Sequence, residues 1–508
     1  MSCPSLSNPS GNPRVFPDDP FDYPGLVRTG LPRARGPRDV IIVGAGAAGL
    51  TAAFELLRAG HRPFILEAKG RAGGRLYTLR EPFAPGLYGE AGAMRVPEVH
   101  RTTMYYAREL FGLRTRLFPN VGLGGKGFYH LDGRLFPGRR VAKDPDFAAN
   151  RVQRCWDQSF APLCRRIDRA FDQGRGRTAW RELVEKYRDA SLRDFLVRGP
   201  RPWNEEERTL FGMVGLGLGG YESLLGISCV ELMRIFYCGW ERNQVELVGG
   251  WDLLAEKFLA TAPAKTEETL AEHIRFGAEV VRIEQGQQQV TACFRTAAGM
   301  ERMVGDYLIL TAPFPVVATS IEIDPPFSPG KRRAVRDLHY LASAKVFLQT
   351  SGRFWEETDA AGSVRGGTTI TDLPLRAAYF PGAPFPGTRR GLIMASYTWE
   401  EDARRWYGIP SERRVATAAR SLAGIFPALA DSCEGGASIA WHEEPFARGA
   451  FALFTPGQME MYEDMVRPEG RIHIAGEHAS YAHGWVEGAV QSGLRAALLI
   501  AEEAAADV

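Results

Sequence analysis

Residues Val40–Leu50 read VIIVGAGAAGL. A β-branched apolar run stops at Gly44, glycines recur at Gly46 and Gly49, and a helix-like segment, Leu50–Ala59, follows. The pattern predicts a buried strand, a tight turn and a helix start. Gly44 permits the turn, Gly46 lets backbone approach a pyrophosphate, and Gly49 lets the helix pack close to the strand. The helix N-terminus at Ala47 and Ala48 then faces the phosphates. Glycines at a strand-to-helix turn can also be purely structural, so the context matters. The next apolar run, Phe64-Ile65-Leu66, ends in Glu67 and Ala68, and Glu67 lies 23 residues after Gly44, where an acid meets ribose hydroxyls. Arg71-Ala-Gly73-Gly74-Arg75 then forms a second Gly/Arg loop suited to phosphate.

A chain of 508 residues exceeds one ordinary core, so two or three domains are expected. Lys and Arg (62) nearly balance Asp and Glu (60), which removes the electrostatic argument for nucleic acid or an acidic membrane. The seven cysteines have no CxxC spacing, so neither a zinc site nor a disulfide framework is implied. The first residues show no basic and apolar signal pattern, and no run approaches the length of a spanning helix. A soluble protein of a reducing, cytoplasmic compartment is the expectation.

Along the chain, 1–36 reads as an irregular Pro/Ser/Gly-rich arm. Gly92-Ala93-Met94-Arg95 leads to Pro97, which puts Arg95 in a loop near the cofactor. Val99–Leu110 looks helical, and His130-Leu131-Asp132-Gly133 signals a hairpin. From Asp144 to about Gly239 helical periodicity dominates, as in Ala179–Val197 and Glu205–Gly215. Glu246–Leu254 reads as a strand, a Gly-Gly turn and a helix returning to the first layer. Strands are expected at Ala278–Glu284, Val290–Arg295, Tyr307–Thr311, Ala342–Thr350, Gly391–Thr398, Ser438–Trp441 and Arg471–Gly476, with a helix from about Gly484 to Glu503. The fold class is therefore α/β with α+β features: a Rossmann-like domain in three pieces (37–86, 244–330 and 463–508), a mixed-sheet substrate domain (87–140 and 331–462) and a helical insert (141–243).

Taken together, GAGAAGL, Glu67, RAGGR, LVGGWDLL and AGEHASYAHGWVEGAVQSG resemble the flavin amine oxidase family. GAMRVPEVHR, AKVFLQTSGRFWE with TTITDLP, and AHGW are similar to its L-amino acid oxidases. The resemblance runs from about 38 to 502. It implies FAD, with Gly476 and Glu477 as flavin-domain contacts, Val280 holding the adenine through backbone groups, and Val486 and Trp441 beside the flavin. Arg95 resembles the arginine that grips a substrate carboxylate, and Tyr397 the tyrosine that supports it. Lys345 resembles the lysine acting through a water near flavin N5. Trp485 resembles an aromatic wall beside the flavin, and the Gly484 carbonyl a contact for the substrate amine. No cysteine stands in Arg448–Gly457, where monoamine oxidases attach flavin, so non-covalent FAD is expected. Cys229–Phe236 lacks the histidine base proposed for venom-type enzymes.

The chemistry implied is transfer of a hydride from Cα of an L-amino acid to the flavin. The products are a 2-oxo acid, ammonia and hydrogen peroxide, with O2 as second substrate. A lysine inside an apolar strand is costly unless it has a function, which favours Lys345. A Tyr or Trp in a strand is more often core packing. Trp399 lies two residues after Tyr397, so on the same strand face. If it and Phe451 line the pocket, large apolar or aromatic substrates follow. The rivals are an amide-forming amino acid monooxygenase, a monoamine or polyamine oxidase, and a non-catalytic FAD-binding scaffold. A homodimer is implied by the resemblance, and no metal is expected.

Overall fold

The computed structural model describes residues 18, 19, 21–118, 127–216, 219–356 and 366–506. The part of the N-terminal arm before Asp18 lies outside them. The first strand, Asp39–Val43, is the middle of a five-stranded parallel sheet ordered Ile274–Phe276, Arg62–Glu67, Asp39–Val43, Tyr307–Leu310 and Ile472–Ile474. Its strands are apolar because helices cover the sheet. The helix Ala47–Ala59 follows the glycine turn and ends at Gly60, whose φ of 94° suits a residue without Cβ. That helix is buried along almost its whole length, against the helices Asp252–Ala260 and Val486–Ala506. A second sheet of four strands, Gly299–Gly305, Val290–Thr296, Glu279–Gln285 and Glu322–Asp324, carries Val280. Its ladder is broken by a bulge between Val280 and Arg282.

The third sheet is mixed and has seven strands, in the order Cys433–Ala440, Ser343–Thr350, Gly391–Trp399, Ala377–Tyr379, Thr368–Thr371, Gly127–Leu131 and Arg134–Pro137. Asp132 and Gly133 close its last hairpin with φ of 50° and 71°, the left-handed turn that Asp-Gly favours. The class is mixed α/β.

Two expectations need correction. The strand Gln244–Leu247 does not join the first layer. It pairs instead with Val96–Pro97 and Thr115–Leu117 in a small sheet, and only the helix after it packs on Ala47–Ala59. A short run before a Gly-Gly turn predicts a strand but carries no signal of which sheet will accept it. The stretch Ala179–Val197 is also two helices, Gly176–Tyr187 and Leu192–Arg198. Ser191 and Asp194 form a capping box that starts the second one.

Candidate active site

A cavity of about 420 Å³ runs from the glycine turn to the mixed sheet. At its phosphate end, Gly46, Ala47 and Ala48 line it. The helix starting there has no side-chain cap and no acid in its first turn, which leaves its N–H groups for an anion. A Cβ on Gly46 would meet no protein atom within 4 Å, so the backbone is open to close approach. Gly44 lines the same end. Glu67 accepts hydrogen bonds from Ala45 N at 2.7 Å and Lys69 N at 2.9 Å. Burial pushes its carboxyl above the usual range against these two bonds. Ala68, Gly74, Arg75, Val280, Gly476 and Val486 complete this half of the lining.

Gly49 and Arg71 do not line the cavity. A Cβ on Gly49 would stand 2.0 Å from Gly44 O, so this glycine serves the close packing of helix on strand. Arg71 donates to Ala72 O and Gly74 O and stacks at 3.7 Å over the Tyr77 ring, holding the second loop in shape. That loop is docked on the first by Gly73 N donating to Ala45 O at 2.8 Å. Arg75 reaches further: its Nη1 donates to Glu477 Oε1 at 2.8 Å, across 402 positions of sequence. Glu477 also accepts from Ala452 N and Gly484 N. One carboxylate thus fixes the second loop, the strand Phe451–Ala452 and the loop before the last helix.

The other end gathers Gly92, Ala93, Met94, Arg95, Lys345, Tyr397, Trp399, Trp441, Phe451, Gly484 and Trp485. Lys345 sits opposite Tyr397 on one neighbouring strand and Ile439 on the other. It is 2% exposed. Its Nζ donates to Glu90 O at 2.9 Å and Gly92 O at 2.6 Å and lies 4.8 Å from the centre of the Tyr397 ring. Burial pulls its pKa down to about 7, helped by Arg95 and opposed by Glu90. Burial likewise pushes the Glu90 carboxyl up to about 8, although Trp251 N and Thr78 Oγ1 both donate to it. Both members of this pair are driven toward their neutral forms.

The Arg95 guanidinium lies 5.5 Å from the Phe118 ring and 5.8 Å from the Tyr379 ring. It is close enough to Tyr221 and Tyr397 to offset part of the rise that burial imposes on both phenols. Tyr397 and Trp399 meet edge to face at 5.0 Å, as expected of i and i+2 on one strand face. Trp441 Nε1 donates to Ala91 O at 2.8 Å, which aligns its ring under Gly92. Gly484 has φ of 76°, and a Cβ there would press on the Phe451 ring at 3.1 Å. Trp485 packs edge to face on His100 at 5.2 Å.

Several lining residues went unread in the sequence. Tyr221, Ile227, Leu232, Ile235 and Phe236 bring the helical segment into the wall, and Glu231 adds a buried acid that pairs with His483. The alternating apolar face of Cys229–Tyr237 was a detectable signal for a covered helix, but nothing in it says that the cover is a cavity. No cysteine lines the cavity among the described residues, so a thioether to the flavin has no donor there.

The model of the family described as flavin containing amine oxidoreductase matches residues 47–501. YobN of Bacillus subtilis (strain 168) is 34% identical over 495 residues, covering 94% of this chain and 97% of its own. The L-amino-acid oxidase of Siganus canaliculatus is 31% identical over 497 residues, covering 94% of this chain and 88% of its own. Among solved structures, cyclohexylamine oxidase from Brevibacterium oxydans IH-35A has a TM-score of 0.71 at 21% identity, covering 92% of this chain and 99% of that one. That likeness concerns the fold. The chain belongs to the flavin containing amine oxidoreductases, and FAD is the cofactor its cavity is built to hold.

Proposed function

We propose that this chain is an FAD-dependent L-amino acid oxidase for large apolar or aromatic substrates, yielding a 2-oxo acid, ammonia and hydrogen peroxide. The observation that carries this reading is Arg95, a guanidinium in the same cavity as Lys345 and set among phenol rings. A planar guanidinium offers two parallel N–H groups to a carboxylate, whereas a simple amine has no use for it. The Siganus canaliculatus relative, an L-amino-acid oxidase, agrees with this reading.

Bound FAD supplies the two-electron acceptor. In this reading Arg95 and the Tyr397 hydroxyl hold the carboxylate and so aim the Cα–H bond. The Gly484 carbonyl accepts from the substrate amine. Trp485, Trp399 and Phe451 exclude water and favour the neutral amine, whose lone pair drives the loss of hydride. Lys345, held near its neutral form by burial, takes or gives a proton through a water at the substrate imine.

Arg95→Met tests the reading. Losing charge-assisted bonds worth about 3 kcal/mol lowers kcat/KM for L-phenylalanine roughly a hundredfold while turnover of 2-phenylethylamine does not fall. Initial rates with both, and identification of oxo acid and peroxide as products, are the measurements. Unchanged turnover of L-phenylalanine, or an amide product, would sink it.

A further inference from the structure

The loop His483–Trp485 is tied to the helical segment by charges that the proposed reaction does not use. Glu231, on the helix Cys229–Tyr237, and His483 are both buried and both line the cavity. Nδ1 of His483 lies 3.0 Å from Oε1 of Glu231, and its Nε2 lies 3.3 Å from the His478 carbonyl oxygen. A carbonyl oxygen only accepts, so Nε2 carries a hydrogen. Glu231 is held as a carboxylate: its Oε1 accepts from Phe454 N and its Oε2 from Arg234 Nη1, each at 3.1 Å. A neutral ring would therefore aim the Nδ1 lone pair at an anion. A ring protonated at both nitrogens donates to both acceptors.

Charge balance points the same way. Arg234 is fully buried and is also gripped by Asp18, through Nε at 2.7 Å and Nη2 at 3.3 Å. Trp180 Nε1 donates to the same Asp18 at 2.8 Å. Asp18, Arg234, Glu231 and a charged His483 then alternate in sign and cancel. With a neutral His483 the row would bury a net negative charge, which is costly. The other groups facing His483 are Glu477, which favours its charge, and His478, which burial keeps neutral. Burial and, to a lesser extent, Arg234 pull His483 down, and Glu231 with Glu477 more than restores it, to above the usual histidine value.

We propose that Glu231 is a positioning residue that keeps His483 protonated on both ring nitrogens and so pins the Gly484–Trp485 wall of the cavity to the helical segment, with Asp18 closing the same row of charges from the N-terminal arm. This goes beyond the oxidase reading and holds whichever amine the enzyme oxidises, because it concerns only these side chains and the wall they hold.

The test is a pH titration of the FAD-loaded full chain with isotope-labelled histidine, followed by NMR. The His483 resonance is the one lost in His483→Gln. It should remain that of an imidazolium at about pH 7, where an ordinary histidine is mostly neutral. Glu231→Gln keeps the acceptor for Phe454 N but removes the charge. It should lower the proton affinity of His483 at least about tenfold and speed amide hydrogen exchange at Gly484 and Trp485. A merely structural role for Glu231 would leave the titration in place. Asp18→Asn, outside the cavity, should give a smaller shift in the same direction and carries the test if Glu231→Gln does not load FAD. A neutral His483 at about pH 6.5 in the parent, or a titration that moves in neither variant, would overturn the proposal.

Discussion

Lys345 lies on a strand with almost every neighbour buried, and its ammonium is expensive there. The cost has a sign that pH exposes. The folded pKa is about 7, below the ordinary 10.5, so between those values the unfolded chain holds a proton that the folded chain does not. Stability therefore gains from Lys345 as pH rises through that window, and the penalty is fully present below it. Lys345→Met removes the term. Thermal midpoints at about pH 7 and about pH 9 should show the parent gaining on the variant at the higher pH. An equal difference at both would mean that Lys345 is charged in the folded protein. Lys345 and Arg95 were legible in the sequence because each sits in a motif or contradicts its surroundings. Glu90, Glu231 and Asp18 were not. An acid looks like any surface acid until its partner is known, and His483 stands 252 positions from Glu231.

At the scale of elements, spacing between glycines gave the strand, turn and helix at Val40–Ala59 because the constraint is local. The helix Val486–Ala506 was expected, from about Gly484 to Glu503, but its main packing device was overlooked. A Cβ on Gly493 would stand 2.3 Å from Ala48 O, so this glycine sets the distance between the last helix and Ala47–Ala59. Gly493→Ala forces the two apart or strains them, at about 1–3 kcal/mol. A lower melting temperature is expected, together with weaker FAD retention on gel filtration, because Ala47, Ala48 and Val486 all line the cavity. Melting and retention at the parent's level would show that the helices tolerate the extra methyl. Sheet membership was the least legible property. The strand Gln244–Leu247 precedes a Gly-Gly turn and a helix of the first layer and still joins a small sheet, because partner choice is decided by chain topology and not by the residues of the strand.

At the scale of the molecule, one cavity takes its walls from the parallel sheet, the helical segment and the mixed sheet. A ligand bridging three layers stabilises all of them at once. Free FAD at a hundredfold excess over its Kd adds about 2.7 kcal/mol to the folded state. Stripping FAD should lower the melting temperature of the whole chain, and adding it back should restore it; scanning calorimetry of both forms reads this. A melting temperature indifferent to FAD would mean that the cofactor does not bind the folded chain in preference to the unfolded one. The strand order carries one more consequence, and it concerns time. The glycine turn leaves the ribosome long before the pieces that complete it: the strand Ile472–Ile474, the Glu477 carboxylate that clasps Arg75, and the helix Val486–Ala506 that covers Ala47–Ala59. The binding turn must wait, half walled, while the residues between are made, and the cofactor site closes only when those pieces arrive.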